Sequence, residues 1–181
     1  MTSNSAKLRE TPAIDRHARG DKPTADEQVV VKTFRFDEIT VERNLIIAMP
    51  KGLLGFETGH RYMIIETPDS EPFKWFQSLD DPALAFVIVN PIVFFPDYRI
   101  DVDRRELEEL KIADPASVMT YVIVSVPDGD MAGMSANLQG PIVLNTENNR
   151  AKQLVLVNGP YTTCHHLMKQ INDREAQEPG A

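Results

Sequence analysis

Two apolar segments, each interrupted by a proline step, constrain the fold of this chain most. Residues 84–98 read LAFVIVNPIVFFPDY, and residues 135–145 read SANLQGPIVLN. Both are rich in β-branched residues, which favour strands, while proline ends a strand because it has no N–H to donate to the ladder. Each segment is therefore predicted to contain a strand, a sharp break and a second strand.

The chain between its two ends follows a similar pattern of short apolar or alternating runs bounded by turn residues. Strands are predicted at residues 29–36, 45–49, 61–66, 73–79, 84–89, 118–126, 131–138, 141–145 and 153–157. One helix is well signalled, because Asp103 occupies an N-cap position and Glu106 follows three residues later. This pattern predicts a mostly β fold, a small antiparallel β-barrel or barrel-like sandwich with one short helix.

The two ends have a different composition. Residues 1–28 carry five acidic and five basic residues with few large apolar ones. Burial there cannot offset the entropy of ordering the chain, so a disordered N-terminal tail is predicted. Residues 166–181 are predicted to be a C-terminal tail, flexible or forming a short helix. The folded domain is therefore expected at residues 29–165.

The net charge of −8 lies mainly in that domain, which holds nineteen acidic and twelve basic residues. An acidic surface repels nucleic acid and membrane headgroups and suits a basic protein partner, although solubility alone is the simpler interpretation. The single cysteine, Cys164, excludes an internal disulfide and fits a reducing compartment. No apolar stretch reaches the roughly 18–20 residues that span a bilayer, and no secretory signal opens the chain. A cytoplasmic location is predicted.

Few residues suggest catalysis or metal binding. Cys164, His165 and His166 are adjacent, so they cannot easily converge on one ion, and no second ligand cluster follows; neither a metal nor a cofactor is predicted. The acids Asp80 and Asp81 are also adjacent, and neighbouring side chains on a strand point apart. An enzyme is not predicted. Two alternatives stay open. A small-barrel hydrolase would be favoured by a deep pocket lined with carboxylates whose pKa values are raised. A small-ligand-binding barrel would be excluded if the interior of the barrel were filled by side chains.

Aromatic residues around the first break are candidates for binding a partner. Phe94 and Phe95 are consecutive, so an extended backbone would turn one of them outward, and Tyr98 would extend the aromatic surface. The alternative is a bulge beside Pro96 that buries both phenylalanines.

Polar residues provide the remaining candidates. Asn137 and Gln139 either replace the hydrogen bonds lost at the second break or contact a partner strand directly. Asp101 and Glu109 belong to the densest acidic cluster, at residues 97–109, in which basic residues are interleaved. That cluster is either a solvated ion-pair surface or a patch that steers a basic partner.

A third motif, GLLGFE at residues 52–57, lacks the Lys-Ser/Thr of a phosphate-binding loop and predicts a tight turn. Together with residues 79–98 and 135–145, this motif resembles the FliW family of bacterial flagellar assembly factors. The resemblance covers about residues 30–165, and the long N-terminal tail departs from the family pattern. It implies a small β-barrel that acts by binding other proteins.

The resemblance also implies two partners. One is flagellin, held in the cytoplasm before export, and the other is CsrA, a translational repressor that binds RNA at flagellin transcripts. Export of flagellin would free the protein to bind CsrA away from its RNA surface and so lift the repression. Such a switch is an exchange of partners by mass action.

Overall fold

The computed structural model describes residues 27–68, 70–157 and 159–170, except for the side chain of Leu107. It divides into two units between Phe86 and Val87. All strand pairs with a defined register are antiparallel, and the predicted fold class, a mostly β barrel with few helices, is confirmed. No helix within these described ranges is both long enough and apolar enough to cross a bilayer.

The first unit begins with a hairpin of β1 (Gln28–Thr33) and β2 (Asp37–Glu42). Because side chains alternate along a strand, Ile39 and Val41 point inward while Val30 points to solvent and is 58% exposed. The outward positions of β2 are acidic or polar, and for that reason no strand is predicted there from the sequence.

The rest of the first unit is a meander of β3 (Ile47–Ala48), β4 (Arg61–Ile65) and β5 (Lys74–Ser78). One face of β4 and β5 packs against the hairpin. The core of this unit consists of buried Ile39, Val41, Met63, Ile65 and Leu79, with Val31, Phe36, Ile46 and Trp75 partly buried at its edge.

The second unit is arranged around a long strand, β7. Its strands are β6 (Ala85–Val89), β7 (Val118–Ser125), β8 (Ser135–Ala136), β9 (Ile142–Asn145), β10 (Arg150–Gln153) and β11 (His165–His166). The first two residues of β6 belong to the first unit. β7 pairs with β6, β8 and β9, while β9 pairs with β10 and β8 pairs with β11. The predicted strands at 118–126 and 141–145 are therefore observed with shorter bounds.

The helix α1 (Arg104–Leu110) begins where the sequence predicts. Asp103 caps it, because its Oδ1 accepts a hydrogen bond of 3.1 Å from the backbone N–H of Arg105. Glu106 forms an ion pair with Lys152 of β10. Leu110 is buried with Val143 and Leu154, so α1 is fixed to β9 and β10 by both apolar and ionic contacts.

Three predicted strands differ from the structure. The segment at 131–138 is a 3-10 turn, Met131–Gly133, followed by the two-residue β8, because Asp130 caps the turn by accepting from the N–H of Ala132. The strand predicted at 153–157 is found earlier, as β10. The strand predicted after Asn90 is a 3-10 turn instead, described below.

The predicted tails fall mostly outside the described residues. Of the N-terminal tail, only Glu27 and Gln28 are described, and Gln28 is the first residue of β1. At the other end, residues 167–170 are helical, and the remainder of the C-terminal tail lies outside the described part.

Candidate functional site

The first proline break is a capped turn on the second unit. Pro91–Val93 form a 3-10 turn whose N-cap is Asn90, because the Oδ1 of Asn90 accepts a hydrogen bond of 3.1 Å from the N–H of Ile92. The turn leaves two apolar side chains in solvent: Ile92 is 53% exposed and Val93 is 46% exposed. These two residues are absent from the sequence-based candidates, because a strand was predicted where a turn is found.

The aromatic residues after this turn differ in exposure. Phe94 is buried and Phe95 is half-buried, so one of the pair does lie nearer solvent, although the backbone is not an extended strand. The expectation that Tyr98 extends an exposed aromatic surface is wrong: only 5% of it is exposed. Its Oη donates a hydrogen bond of 2.8 Å to the carbonyl oxygen of Leu138. Burial, together with nearby Tyr161, raises the pKa of the Tyr98 hydroxyl.

The second break, at Gly140–Pro141, is held by the side chains that the sequence singles out. The Oδ1 of Asn137 accepts a hydrogen bond of 2.8 Å from the N–H of Gly140. The Nε2 of Gln139 donates to the carbonyl oxygen of Leu156 at 3.3 Å. Asn137 therefore supplies a local hydrogen bond at the break, as one of the two interpretations of the sequence expects, whereas Gln139 bonds a residue distant in the sequence.

Residues 154–157 and 159–166 contact both breaks. The backbone N–H of Gln139 donates to the carbonyl oxygen of Thr162 at 3.1 Å, which ties the second break to this segment. The ring of Phe95 lies edge-on to that of His165, with 5.8 Å between centroids, which ties in the first break. Val155 and Val157, flanking Leu156, are 54% and 76% exposed.

We call the exposed or half-exposed apolar residues around these contacts the two-break surface: Ile92, Val93, Phe95, Val155 and Val157. Five of the predicted candidates lie in or beneath it, namely Phe94, Phe95, Tyr98, Asn137 and Gln139. Phe95 contributes to the surface itself, while buried Phe94 and Tyr98 support it from below. Exposed apolar side chains brought together in this way are typical of a protein-binding site.

His165 makes part of this surface sensitive to protonation. Its Nε2 accepts a hydrogen bond of 2.9 Å from the N–H of Thr162, which requires an unprotonated nitrogen. Burial lowers the pKa of His165, because the interior disfavours the charged ring. The imidazole therefore holds the turn at residues 162–165 in its neutral form.

The two acidic candidates, Asp101 and Glu109, are both exposed. Glu109 accepts a hydrogen bond of 2.7 Å from the Nζ of Lys152, so it belongs to an ion pair, whereas a steering role for either acid stays a prediction. The helix that carries Glu109 is anchored by the fully buried Asn145, whose Nδ2 donates to the carbonyl oxygens of Leu110 at 3.1 Å and Lys111 at 3.0 Å. The sequence does not indicate this anchor, since it depends on contacts between distant residues.

The acids of the hydrolase alternative do line a pocket, but their chemistry is unsuitable. Asp80 and Asp81 border an open pocket of about 370 Å³ in the first unit. Asp80 accepts hydrogen bonds from the backbone N–H groups of His60 and Arg61, each 2.8 Å, and from the Nε of Arg61 at 2.7 Å. Desolvation alone would raise the pKa of Asp80, but these hydrogen bonds together lower it. A general acid needs the opposite shift.

No group of three His, Cys, Asp or Glu side chains in the described part of the chain is placed to hold a metal ion.

Comparison with known proteins identifies the family. The family model described as "FliW protein" matches residues 30–167. The flagellar assembly factor FliW of Alkaliphilus metalliredigens is 40% identical over 150 residues, covering 82% of this chain and 92% of that protein. That of Treponema pallidum is 39% identical over 139 residues, covering 77% and 91%. A crystal structure of the flagellar assembly factor FliW matches with a TM-score of 0.71 at 34% identity, covering 77% of this chain and 96% of that one.

The fold, the apolar surface and these relatives define the class: a small β-barrel flagellar assembly factor. The family model covers most of the chain, and several relatives are more than 30% identical over nearly their full length. This chain therefore belongs to the FliW family, and the resemblance seen in the sequence is confirmed.

Proposed function

We propose that this chain is a cytoplasmic, non-enzymatic flagellar assembly factor that binds flagellin and antagonises the translational repressor CsrA. Membership of the FliW family is the observation that carries this proposal. When flagellin is exported, the freed protein binds CsrA, so that synthesis of flagellin follows its export. Both functions are binding equilibria, and one partner regulates the other by sequestering the protein.

The two-break surface supports a role in protein binding. Its apolar side chains lose water when a partner covers them, and each mostly buried aliphatic side chain contributes about 1–2 kcal/mol. Tyr98 and Gln139 donate hydrogen bonds to backbone carbonyl oxygens beneath it, and Asn137 accepts one from the backbone N–H of Gly140. A surface that is already ordered loses little conformational entropy on binding. We assign this surface to flagellin, the partner held in the cytoplasm before export.

The acidity of the chain supports the CsrA part of the proposal. The predicted domain at residues 29–165 carries a net charge of −7. CsrA binds RNA and therefore presents basic groups, which an acidic protein attracts over distance. Asp101 and Glu109 are exposed and remain our candidates for this steering. The same acidity opposes direct contact between this chain and RNA.

Calorimetric titration with purified flagellin from the same organism tests the assignment. Val93→Ser, on the two-break surface, is expected to weaken flagellin binding by about tenfold, the effect of losing roughly 1.4 kcal/mol of apolar contact. Val30→Ser, on the outward face of β1, is the matched control because Val30 is similarly exposed. Equal affinities of the two variants would show that flagellin does not use the two-break surface.

Titration of a CsrA–RNA complex tests the second partner. Adding the wild-type chain is expected to release the RNA. The double variant Asp101→Asn, Glu109→Gln should associate with CsrA more slowly than the wild type, and this difference should be larger at low salt than at high salt. Failure to release RNA at saturating concentrations of the chain would refute the CsrA antagonism.

A further inference from the structure

The GLLGFE motif is not explained by the two-break surface, and it borders a pocket of its own. The loop at residues 52–59 and the turn at residues 80–84 border an open pocket of about 370 Å³, a volume within the usual range for ligand sites. The lining residues are Phe56, Thr58, Gly59, Asp80, Asp81, Pro82 and Leu84. All belong to the first unit, and none of the seven is basic.

The loop side of the pocket is held in one conformation. Gly52 has φ of +65°, and a Cβ there would lie 2.6 Å from the Cα of Glu57, so only glycine fits. The Oε1 of Glu57 accepts a hydrogen bond of 2.9 Å from the N–H of Gly55. Phe56 is thereby presented to solvent with 42% exposure, and its ring lies edge-on to Phe86 at 5.1 Å between centroids.

The turn side of the pocket carries negative charge in a fixed position. Asp80 is held by hydrogen bonds from His60 and Arg61, as described above. The Oδ1 of Asp81 accepts a hydrogen bond of 2.9 Å from the N–H of Ala83, and this carboxylate is exposed. One wall of the pocket is therefore aromatic and the opposite part is anionic.

A buried hydroxyl without a hydrogen-bond partner lies behind the pocket wall. Tyr62 has 0% exposure, and its Oη finds no hydrogen-bond partner among the described residues. That oxygen lies directly behind Gly59, since a Cβ on this glycine would be 2.5 Å from it. Burial, with the charges of Asp80 and Asp81, raises the pKa of Tyr62 to about 12. Asp80 is already paired with Arg61, so it is the exposed carboxylate of Asp81 that favours a cation in the pocket.

We infer that this pocket is a docking site for an arginine side chain of a protein partner. A guanidinium group is planar, so it can stack on Phe56 while its N–H groups donate to the carboxylate of Asp81. Its aliphatic stem suits the apolar atoms of Pro82 and Leu84. Lysine matches the charge but not the planar stacking. The inference needs none of the residues of the two-break surface and is independent of which partner binds there.

An amide NMR titration of the full chain tests the site with small probes. N-acetyl-arginine amide is expected to shift the resonances of Thr58, Gly59 and Asp81 in a saturable way, with millimolar affinity. N-acetyl-citrulline amide, which has nearly the same shape without the charge, should cause no saturable shift there. N-acetyl-lysine amide should bind about fivefold more weakly than the arginine probe, because it loses the stacking contribution. Equal binding of citrulline or lysine, or shifts that spread over the surface without saturation, would overturn the inference.

Two variants, each with a matched control, test the anionic and the aromatic contacts of the site. Asp81→Asn removes the charge but keeps the oxygen that accepts from Ala83, and it should weaken binding of the arginine probe about fivefold. Glu38→Gln, an exposed acid on β2, is its control and should leave that affinity unchanged. Phe56→Leu should abolish the preference for arginine over lysine, whereas Leu54→Ala, exposed on the same loop but outside the pocket, should not. Binding that responds equally to Asp81→Asn and Glu38→Gln would count against a defined site. Loss of this site would leave flagellin binding by Val93 and its neighbours unaffected.

Discussion

The loop at residues 52–59 and the turn at residues 90–98 both present apolar side chains to solvent, but they are held in different ways. Charged groups hold the surroundings of the first: Glu57 closes the loop and Asp80 fixes the adjoining turn. The second is held mainly by neutral groups, the buried hydroxyl of Tyr98 and the amide of Asn90, although the Arg99 guanidinium also donates to the carbonyl oxygens of Pro96 and Tyr98. A region held by exposed charges responds to acid and salt, whereas one held by buried neutral hydrogen bonds is sensitive to removal of a single partner. The variants below test this difference.

Gly52→Ala is expected to have the largest effect. The substitution forces a side chain into a positive-φ position and against the backbone of Glu57, which should cost about 3 kcal/mol of unfolding free energy. Gly55→Ala is the control: its φ is +84°, but a Cβ there meets nothing within 4 Å, so it should cost about 1 kcal/mol. Urea unfolding measures both. Similar losses would show that backbone contact does not shape this loop.

Tyr98→Phe is expected to cost about 2 kcal/mol, because it leaves the carbonyl oxygen of Leu138 buried without a donor. Tyr62→Phe removes a hydroxyl that has no partner in the described residues, so it should be neutral or slightly stabilising. Thermal and urea denaturation of the two variants give a direct comparison of the units. A larger loss for Tyr62→Phe would contradict the account of both regions.

Asp80→Asn should cost about 1 kcal/mol near neutral pH, since it weakens hydrogen bonds to a partly exposed carboxylate. The pKa of Asp80 is lower in the folded chain than its unfolded value of about 3.9, so its stabilisation is complete above that value and is lost as the pH falls through the folded pKa. The difference in stability between wild type and variant should therefore shrink in acid. A difference that stays constant down to pH 2 would contradict the charged hydrogen bonds.

The smallest effect concerns His165. Its folded pKa lies below the unfolded value of about 6.5, so neutral His165 stabilises the turn at higher pH, and this contribution is lost as the pH falls from about 6.5 through the folded pKa. NMR titration of the ring should give a midpoint below 6.5, with the amide of Thr162 shifting in parallel. In the His165→Gln variant, the amide resonance of Thr162 should not change with pH over this range. A midpoint above 6.5 would contradict a buried, accepting imidazole.

The sequence predicts local features of this molecule well. The β-branched runs, the proline breaks and the Asp103 cap depend on neighbours within a few residues, and each is found close to its expected place. β2 is missed because its outward residues are polar, which leaves Ile39 and Val41 as the strand's two apolar residues, too few to indicate a strand. Tyr98 is misjudged because its burial depends on Leu138, forty positions away.

The candidate surface is predicted in part for the same reason. The two breaks are visible in the sequence, and so is the local role of Asn137 beside Pro141, whereas Gln139 bonds the distant Leu156. Ile92 is exposed by a turn that the neighbouring Asn90 caps, whereas the segment that carries Val155 and Val157 is held by the long-range bond between Leu156 and Gln139. The pocket beside Phe56 also requires residues from two separate loops to meet, which no local pattern indicates.

Exchange of partners is the central claim, and one calorimetric experiment tests it most directly. Flagellin is titrated into the chain alone and into the chain saturated with CsrA, both partners coming from the same organism. The account predicts that flagellin binds the free chain, that its apparent affinity falls when CsrA is present, and that CsrA leaves the complex as flagellin enters. Unchanged flagellin affinity with CsrA still bound, or no flagellin binding at all, would contradict the account.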